Sequence, residues 1–193
     1  MIVRNFFYIG DNAFCKLSIE YLLHKITWGT YIGEAIFVIE SHKFQTLSVL
    51  QHKLLLIKKI YPAANVLFIN TRRNFLPLDA KYCINIEASL LLWKNKLSRF
   101  FMSKSNIDEV IGICSLSYYV STLSPMALRV TILLAKGYTV SDIAKYISVT
   151  EKSIYAYATK IRYKLNLASL VQLCFYLEKE FDAENPALCL RLC

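Results

Sequence analysis

Glycine and proline are scarce in this chain, five and four in 193 residues, which excludes a collagen-like fibre and a Gly/Ser linker protein. Acidic side chains are few as well, 14 against 23 Lys and Arg, for a net charge of +9. Long apolar runs are missing although 55% of the residues are hydrophobic and 13% aromatic. Val110–Leu123 is broken by Gly112, Ser115 and Ser117, and no stretch reaches the ~20 residues that cross a bilayer. The same hydrophobic content excludes a disordered tail. The first fourteen residues lack the charged, apolar and small segments of a signal peptide and read as a strand entering a fold. The expectation is a cytoplasmic protein with sticky surfaces and no membrane partner. Six cysteines, at positions 15, 83, 114, 174, 189 and 193, form no CxxC pair and keep no zinc-type spacing with histidine. Thiols in a reducing compartment, with neither metal nor cofactor, are the expected reading.

A basic balance favours an anionic partner, nucleic acid before a membrane surface. Residues 1–105 hold 14 basic and 6 acidic side chains, and residues 123–177 hold 7 and 2. Acidic stretches at 106–122 and 178–193 bracket the second basic segment. Charge alone leaves the partner open.

The N-terminal half alternates two kinds of segment. Asn5–Ile9, Ala35–Glu40, Asn65–Asn70 and Tyr82–Ile86 are short, rich in Ile, Val, Phe and Tyr, and bounded by turn residues, as strands are. Ala13–Lys25, Thr46–Tyr61 and Ala88–Met102 carry helical spacing. Leu47, Leu50, Leu54 and Ile57 form one stripe, and Leu90, Trp93, Leu97 and Phe100 another. Strands alternating with helices predict a parallel sheet covered by helices. Beyond Lys104 the strand signals fade, so the expected boundaries are a domain at 1–104, a linker at 105–122, a helical domain at 123–181 and a tail at 182–193.

From Leu123 onward the pattern is helical. Ser124-Pro125 is an N-cap followed by proline at the first helical position. Gly137 stops that helix, Thr139 or Ser141 caps a second, and Thr150 caps a third running to about Leu165. A fourth, Ala168–Glu178, carries Leu170, Val171, Leu173 and Leu177. Two helices joined by the short turn Ser148-Val149-Thr150, the second longer and basic, suggest a helix-turn-helix at about 139–158.

The run from Leu123 to Leu173 resembles the LuxR-type (GerE-like) DNA-binding domain along its whole length. The anchors are Leu123-Ser124, Val130, Leu133-Leu134-Ala135, Gly137, Asp142-Ile143-Ala144, Ile147, Val149-Thr150, Ser153-Ile154, Ile161 and Lys164-Leu165. Many matches at fixed offsets are far more specific than a lone motif. In the third helix, about 151–165, Ile154, Ala158, Ile161 and Leu165 share one apolar face. Tyr155, Ala156 and Thr159 on the opposite side are expected to read bases in the major groove. Thr150, Lys152, Ser153, Lys160, Arg162 and Lys164 are expected to meet phosphate. The chain departs from the family at Tyr155 and Tyr157, which replace a Lys and a His, at Ala127 and Arg129, which replace a Glu pair, and at Asn166, which replaces a glycine but tolerates the left-handed conformation. The resemblance implies that the fourth helix pairs DNA-binding domains through Leu170, Leu173 and Leu177. Packing those leucines into the bundle core is the equal alternative.

The N-terminal half resembles a worn response-regulator receiver. Gly10-Asp11 stands where two acids would bind Mg²⁺, Glu40 where the phosphorylated Asp would end the third strand, and Asn70-Thr71 where the switch hydroxyl falls. Asn85 replaces an essential lysine, and the Asp11-to-Glu40 interval is short by about one helix. Phosphoryl chemistry needs paired carboxylates, a carboxylate nucleophile and a cation, so this domain is expected to work without phosphorylation. Glu40 is either a fixed negative charge that mimics the phosphorylated state or a solvent-exposed glutamate at a strand end. Trp28, Tyr31 and Trp93 do not reproduce the pattern of the lactone-binding branch of the family.

The sequence thus implies an α/β receiver-like N-terminal domain and an all-α, tetrahelical helix-turn-helix C-terminal domain. The expected function is a transcription regulator that binds double-stranded DNA as a homodimer or as a heterodimer with another regulator. The alternative is an accessory protein that pairs with or sequesters such a regulator. An enzyme is not expected, because His24, His42 and His52 have no nucleophile or acidic partner at a useful spacing.

Overall fold

The computed structural model describes residues 5–26, 34–71, 78–114, 123–165 and 167–181. The described residues divide into two compact units, the first ending at Cys114. In it β1 (Phe6–Ile9), β2 (Ile36–Glu40), β3 (Asn65–Asn70) and β4 (Cys83–Asn85) form one parallel sheet in sequential order. Phe7 lies opposite Phe37, and Phe37 opposite Val66. Every residue of β2 is buried, as are Asn65–Ile69 of β3. Central strands of a helix-covered parallel sheet need apolar side chains on both faces, which explains the unbroken IFVI and VLFI runs. The strand that the receiver resemblance makes third is the second among the described residues, in keeping with the shortened interval before it.

The covering helices follow the predicted stripes. In α2 (Leu47–Ile60), Leu47, Leu50, Leu54 and Ile57 are all buried, each apolar side chain contributing roughly 1.5–3 kcal/mol. In α3 (Leu90–Met102), Trp93, Leu97 and Phe100 are buried, but Leu90 is 64% exposed. Leu90 opens the first turn, just after the Ser89 N-cap, and its side chain stays outside the core that the rest of the stripe fills. α1 (Ala13–Ile26) packs against α3.

The expected linker at 105–122 needs correction. Residues Ile107–Ile113 form a helix, α4, with Ile107 and Val110 buried. Asn106 ties its start to β3: the Val66 amide donates to Asn106 Oδ1 at 2.7 Å, and Asn106 Nδ2 donates to the Val66 carbonyl at 2.9 Å. One asparagine side chain thus pairs with both backbone groups of Val66, much as a neighbouring strand would. A seven-residue helix is too short to show a helical period, which is why the sequence hid it. Residues 115–122 and 182–193, the rest of the linker and the tail, lie outside the described residues, as do Trp28, Tyr31 and Asn166.

The second unit contains α5 (Pro125–Ala135), α6 (Val140–Tyr146), α7 (Glu151–Lys164) and α8 (Leu170–Glu180). Each starts at a hydroxyl cap: Ser124, Thr139, Thr150 and Ser169 accept from the amides of Ala127, Asp142, Ser153 and Gln172. Such caps contribute about 1 kcal/mol each. Gly137 ends α5 in the left-handed region at φ 79°, and the Tyr138 amide reaches back to the Leu133 carbonyl. Val130, Ile143, Ile154, Ala158, Ile161, Leu173 and Leu177 are buried at the centre of the bundle. Among the described residues no helix is long and apolar enough to cross a membrane.

Candidate nucleic-acid interface

The turn between α6 and α7 sets the angle at which α7 leaves the bundle. Ser148 adopts φ 56°, its amide bonds to the Lys145 carbonyl, and the Val149 amide bonds to the Ala144 carbonyl. This is the Schellman arrangement, with a serine where glycine is usual. Two residues later Thr150 caps α7, its Oγ1 accepting from the Ser153 amide at 3.2 Å and lying 2.9 Å from Ser153 Oγ.

The buried side of α7 is the expected one: Ile154, Ala158, Ile161 and Leu165 are at most 3% exposed. At 100° per residue, the direction opposite that face falls on Lys152, Ala156, Thr159, Lys160 and Tyr163. Lys152, Ala156, Lys160 and Tyr163 are exposed and Thr159 is half-buried. Tyr155 is exposed on one flank, Tyr157 half-buried on the other. Tyr163, 70% exposed, was missed at the sequence level, although it stands four residues after Thr159 on the same face. Lys164 is exposed near the C-terminal end.

Arg162 is placed differently from the other candidate phosphate contacts. Its Nη1 donates to the carbonyls of Leu167 and Ala168, at 3.1 and 2.8 Å, and its guanidinium stacks 4.1 Å from the Tyr163 ring centre. It therefore ties the α7–α8 turn and orients Tyr163. The neighbouring surface adds cations and rings: Arg129 lies over the Tyr146 ring at 5.6 Å, with Tyr138 6.5 Å from Tyr146.

On α8 the structure separates the alternatives for the leucines. Leu173 and Leu177 are fully buried and Leu170 is half-buried. The first two belong to the core of their own bundle and leave nothing for a partner. The exposed apolar side chains of this helix are Val171 and Phe175, at 65% and 59%.

The receiver-like unit has its own polar cluster at the C-terminal end of β2. Glu40 is 2% exposed, so the solvent-exposed reading of this residue is wrong. Tyr8 Oη donates to Glu40 Oε1, the Asp11 amide donates to Oε2 at 3.1 Å, and the Asn12 amide lies 3.4 Å from Oε1. His42 Nε2 stands 3.4 Å from Oε2. Burial, and then the hydrogen bond to Glu40, push the Tyr8 hydroxyl far above its ordinary range, so it remains a donor. The Asp11 carboxylate forms an ion pair with Lys43. Ser41 donates to the Ile69 carbonyl at 2.9 Å and lies 3.1 Å from Asn70 Oδ1. Thr71 is half-buried just beyond.

Asp11 and Glu40 therefore meet, but Asn85 does not join them: it is exposed, and its Oδ1 accepts from the Glu87 amide at 2.9 Å. Tyr8, His42 and Lys43 were missed in the sequence, because only the fold brings them beside residues 11 and 40. The donor set does not suit the Mg²⁺ of a receiver. Both Glu40 oxygens are engaged by the protein's own donors, and Asp11 is paired with a lysine.

Residues 121–177 match the model of bacterial regulatory proteins of the luxR family. No curated protein sequence matches the chain significantly. Among solved structures, the chain is similar to the two-component response regulator RcsB in complex with DNA, at 16% identity and a TM-score of 0.56, over 90% of this chain and 97% of that one. It is also similar to RcsB from Salmonella enterica serovar Typhimurium bound to the promoter rprA with phosphomimetic BeF3−, at 18% identity and a TM-score of 0.58, over the same shares. At such identities the likeness establishes a shared fold, a receiver-like α/β unit with a helix-turn-helix unit.

Proposed function

We propose that this chain, whose residues 121–177 match the luxR-family model, is a sequence-specific DNA-binding transcription regulator in which α7 enters the major groove. The observation that carries this reading is the two-faced build of α7. One face is buried in the bundle, and the other presents Lys152, Ala156, Thr159, Lys160 and Tyr163 in a continuous strip. Ala156 and the Thr159 methyl suit the C5-methyl of thymine, and the Thr159 hydroxyl can bond to base edges. Tyr155 flanks the strip. Thr150, Ser153, Lys152, Lys160 and Lys164 supply donors and positive charge for phosphates, the contacts that fix register and dominate affinity.

The regulator works without phosphorylation and as a dimer. Support for the first comes from Glu40, whose carboxylate is buried under four neighbours that already satisfy it. Support for the second comes from α8, where Val171 and Phe175 are exposed side by side and a two-fold pairing would match two half-sites. A heterodimer has its own favouring observation. On α1, Phe14, Leu17 and Tyr21 are 84, 61 and 61% exposed at helical spacing, an apolar stripe fit for another protein.

The test is selection from a random duplex pool by the full-length chain, alone and with a small acyl-phosphate donor and Mg²⁺. The reading expects one enriched, two-fold symmetric motif, the same with and without donor, and no phosphate on the protein. Enrichment of no motif overturns sequence-specific binding. Stoichiometric acyl-phosphate, or a motif that appears only with donor, overturns phosphorylation independence.

A further inference from the structure

The last turn of α7 carries a ring that is both exposed and held. Tyr163 is 70% exposed, yet the Arg162 guanidinium lies 4.1 Å from its ring centre. Arg162 is itself fixed, because the Leu167 and Ala168 carbonyls accept from its Nη1 at 3.1 and 2.8 Å. We infer that the Tyr163 hydroxyl donates to a backbone phosphate at the wall of the major groove, and that Arg162 is the positioning residue that presets it. This rests on the reading of α7 as the helix that enters the groove.

Direction around the helix separates the two neighbours. At 100° per residue, Tyr163 falls on the midline of the exposed strip, in line with Lys152 and Ala156. Arg162 points about 100° away from that line, on a half-buried flank. To reach DNA through Nη1, its guanidinium would have to give up two carbonyl bonds and a ring contact. The ring faces the duplex, and the cation stays behind it.

Height along the helix selects phosphate over base. The N-terminal part of a recognition helix meets the base edges, here through Ala156 and Thr159. Tyr163 stands about 10 Å beyond Ala156 along the axis, a distance close to the ~12 Å width of the groove. There a straight helix has parted from the bases of a curving groove and meets the sugar–phosphate wall. Tyrosine is among the side chains that donate to phosphate oxygens.

The contact differs in kind from that of a lysine. A neutral hydroxyl neutralises no phosphate and releases no counterion, so its share of the affinity does not fade with salt. A free surface ring would lose rotamer freedom on docking, and the Arg162 stack removes that loss beforehand. A lysine at 162 has no planar fork with which to do so.

Anisotropy titrations of the selected operator and of unrelated duplexes with the full-length chain, across a salt series, test both roles. Tyr163→Phe keeps the ring and removes only the hydroxyl. It should weaken both kinds of duplex alike, by about two- to tenfold, the value of one neutral hydrogen bond, with the salt slope unchanged. Tyr163→Lys, at the same exposed position, should steepen the log–log slope by about 0.9, as a new ionic contact does. Arg162→Gln should weaken both duplexes at unchanged slope, and should lose most of its effect in a Tyr163→Phe background. If Arg162→Gln melts early, Arg162→Lys keeps the charge and a donor for the turn but not the planar fork, and the same dependence on Tyr163 is expected.

Wild-type binding by Tyr163→Phe overturns the hydroxyl contact, and so does a loss confined to the operator, which would make Tyr163 a base reader. An equal loss from the Arg162 change in both backgrounds overturns the positioning role, since support of the α7–α8 turn alone would not depend on the Tyr163 hydroxyl. A slope flattened by about 0.9 in Arg162→Gln overturns it too, making Arg162 itself a phosphate contact. Absence of any duplex binding by the unaltered chain overturns instead the reading of α7 from which both roles follow.

Discussion

The Glu40 side chain folds back across Gly10 so closely that a Cβ on residue 10 would stand 2.4 Å from Glu40 Cδ and 2.7 Å from Oε2. A bare backbone at position 10 is what lets the carboxylate reach the Asp11 and Asn12 amides and the Tyr8 hydroxyl. In the sequence, Gly10 reads as the loss of an acid. In the structure it is the space into which another acid turns.

Gly10→Ala should therefore cost roughly 1–3 kcal/mol, the usual range for overpacking a filled site. The cost arises through Glu40, so Gly10→Ala in a Glu40→Ala background should cost much less. A double-mutant cycle by urea denaturation measures this coupling. Additive effects would mean that the two residues do not constrain each other.

The HTH turn carries a strained serine. Ser148 sits at φ 56°, a region that costs an L-residue about 1–2 kcal/mol, whereas glycine adopts it freely but loses more entropy on folding. Ser148→Gly should raise stability by under about 1 kcal/mol, and Ser148→Val should lower it. Denaturation midpoints check both. A destabilised Gly variant would show that the serine side chain supports the turn.

The two faces of α8 should respond in opposite ways to charge. Phe175→Asp and Val171→Asp alter exposed side chains and should leave the fold intact while breaking the proposed dimer and lowering affinity for a two-half-site duplex more than for one half-site. Leu173→Asp places a charge in the bundle core and should cost about 3 kcal/mol or more. Sedimentation and thermal melts separate the outcomes. A folded Phe175→Asp protein that dimerises as the wild type does would remove α8 from the interface.

Most of the fold was legible because its signals are local. The α2 stripe, the hydroxyl caps of α5–α7 and the apolar face of α7 follow from spacing that any window of the chain displays. What escaped was set by contacts across the sequence. Asn106 acts as a strand partner for Val66, forty residues earlier, and α4 is too short to announce itself. Glu40 reads as a strand-end acid until Tyr8 and His42 close over it. On α8, Leu170, Leu173 and Leu177 form an obvious stripe, but a stripe does not say whether it faces its own bundle or a partner. The α7 face was read from the same spacing, yet Arg162 turned out to brace the following turn because its partners are backbone carbonyls that no residue pattern reveals.

The most direct measurement of the central claim is the affinity of α7 variants for the selected operator and for unrelated duplexes across a salt series. Lys160→Ala should weaken binding to every duplex alike and flatten the log–log salt slope by about 0.9, the loss of one phosphate contact. Thr159→Ala should spare unrelated duplexes and lower operator preference by about 1–3 kcal/mol. Folded variants that bind both kinds of DNA as the wild type does, with unchanged slope, would contradict the account, because the exposed face of α7 would then not be what reads the DNA.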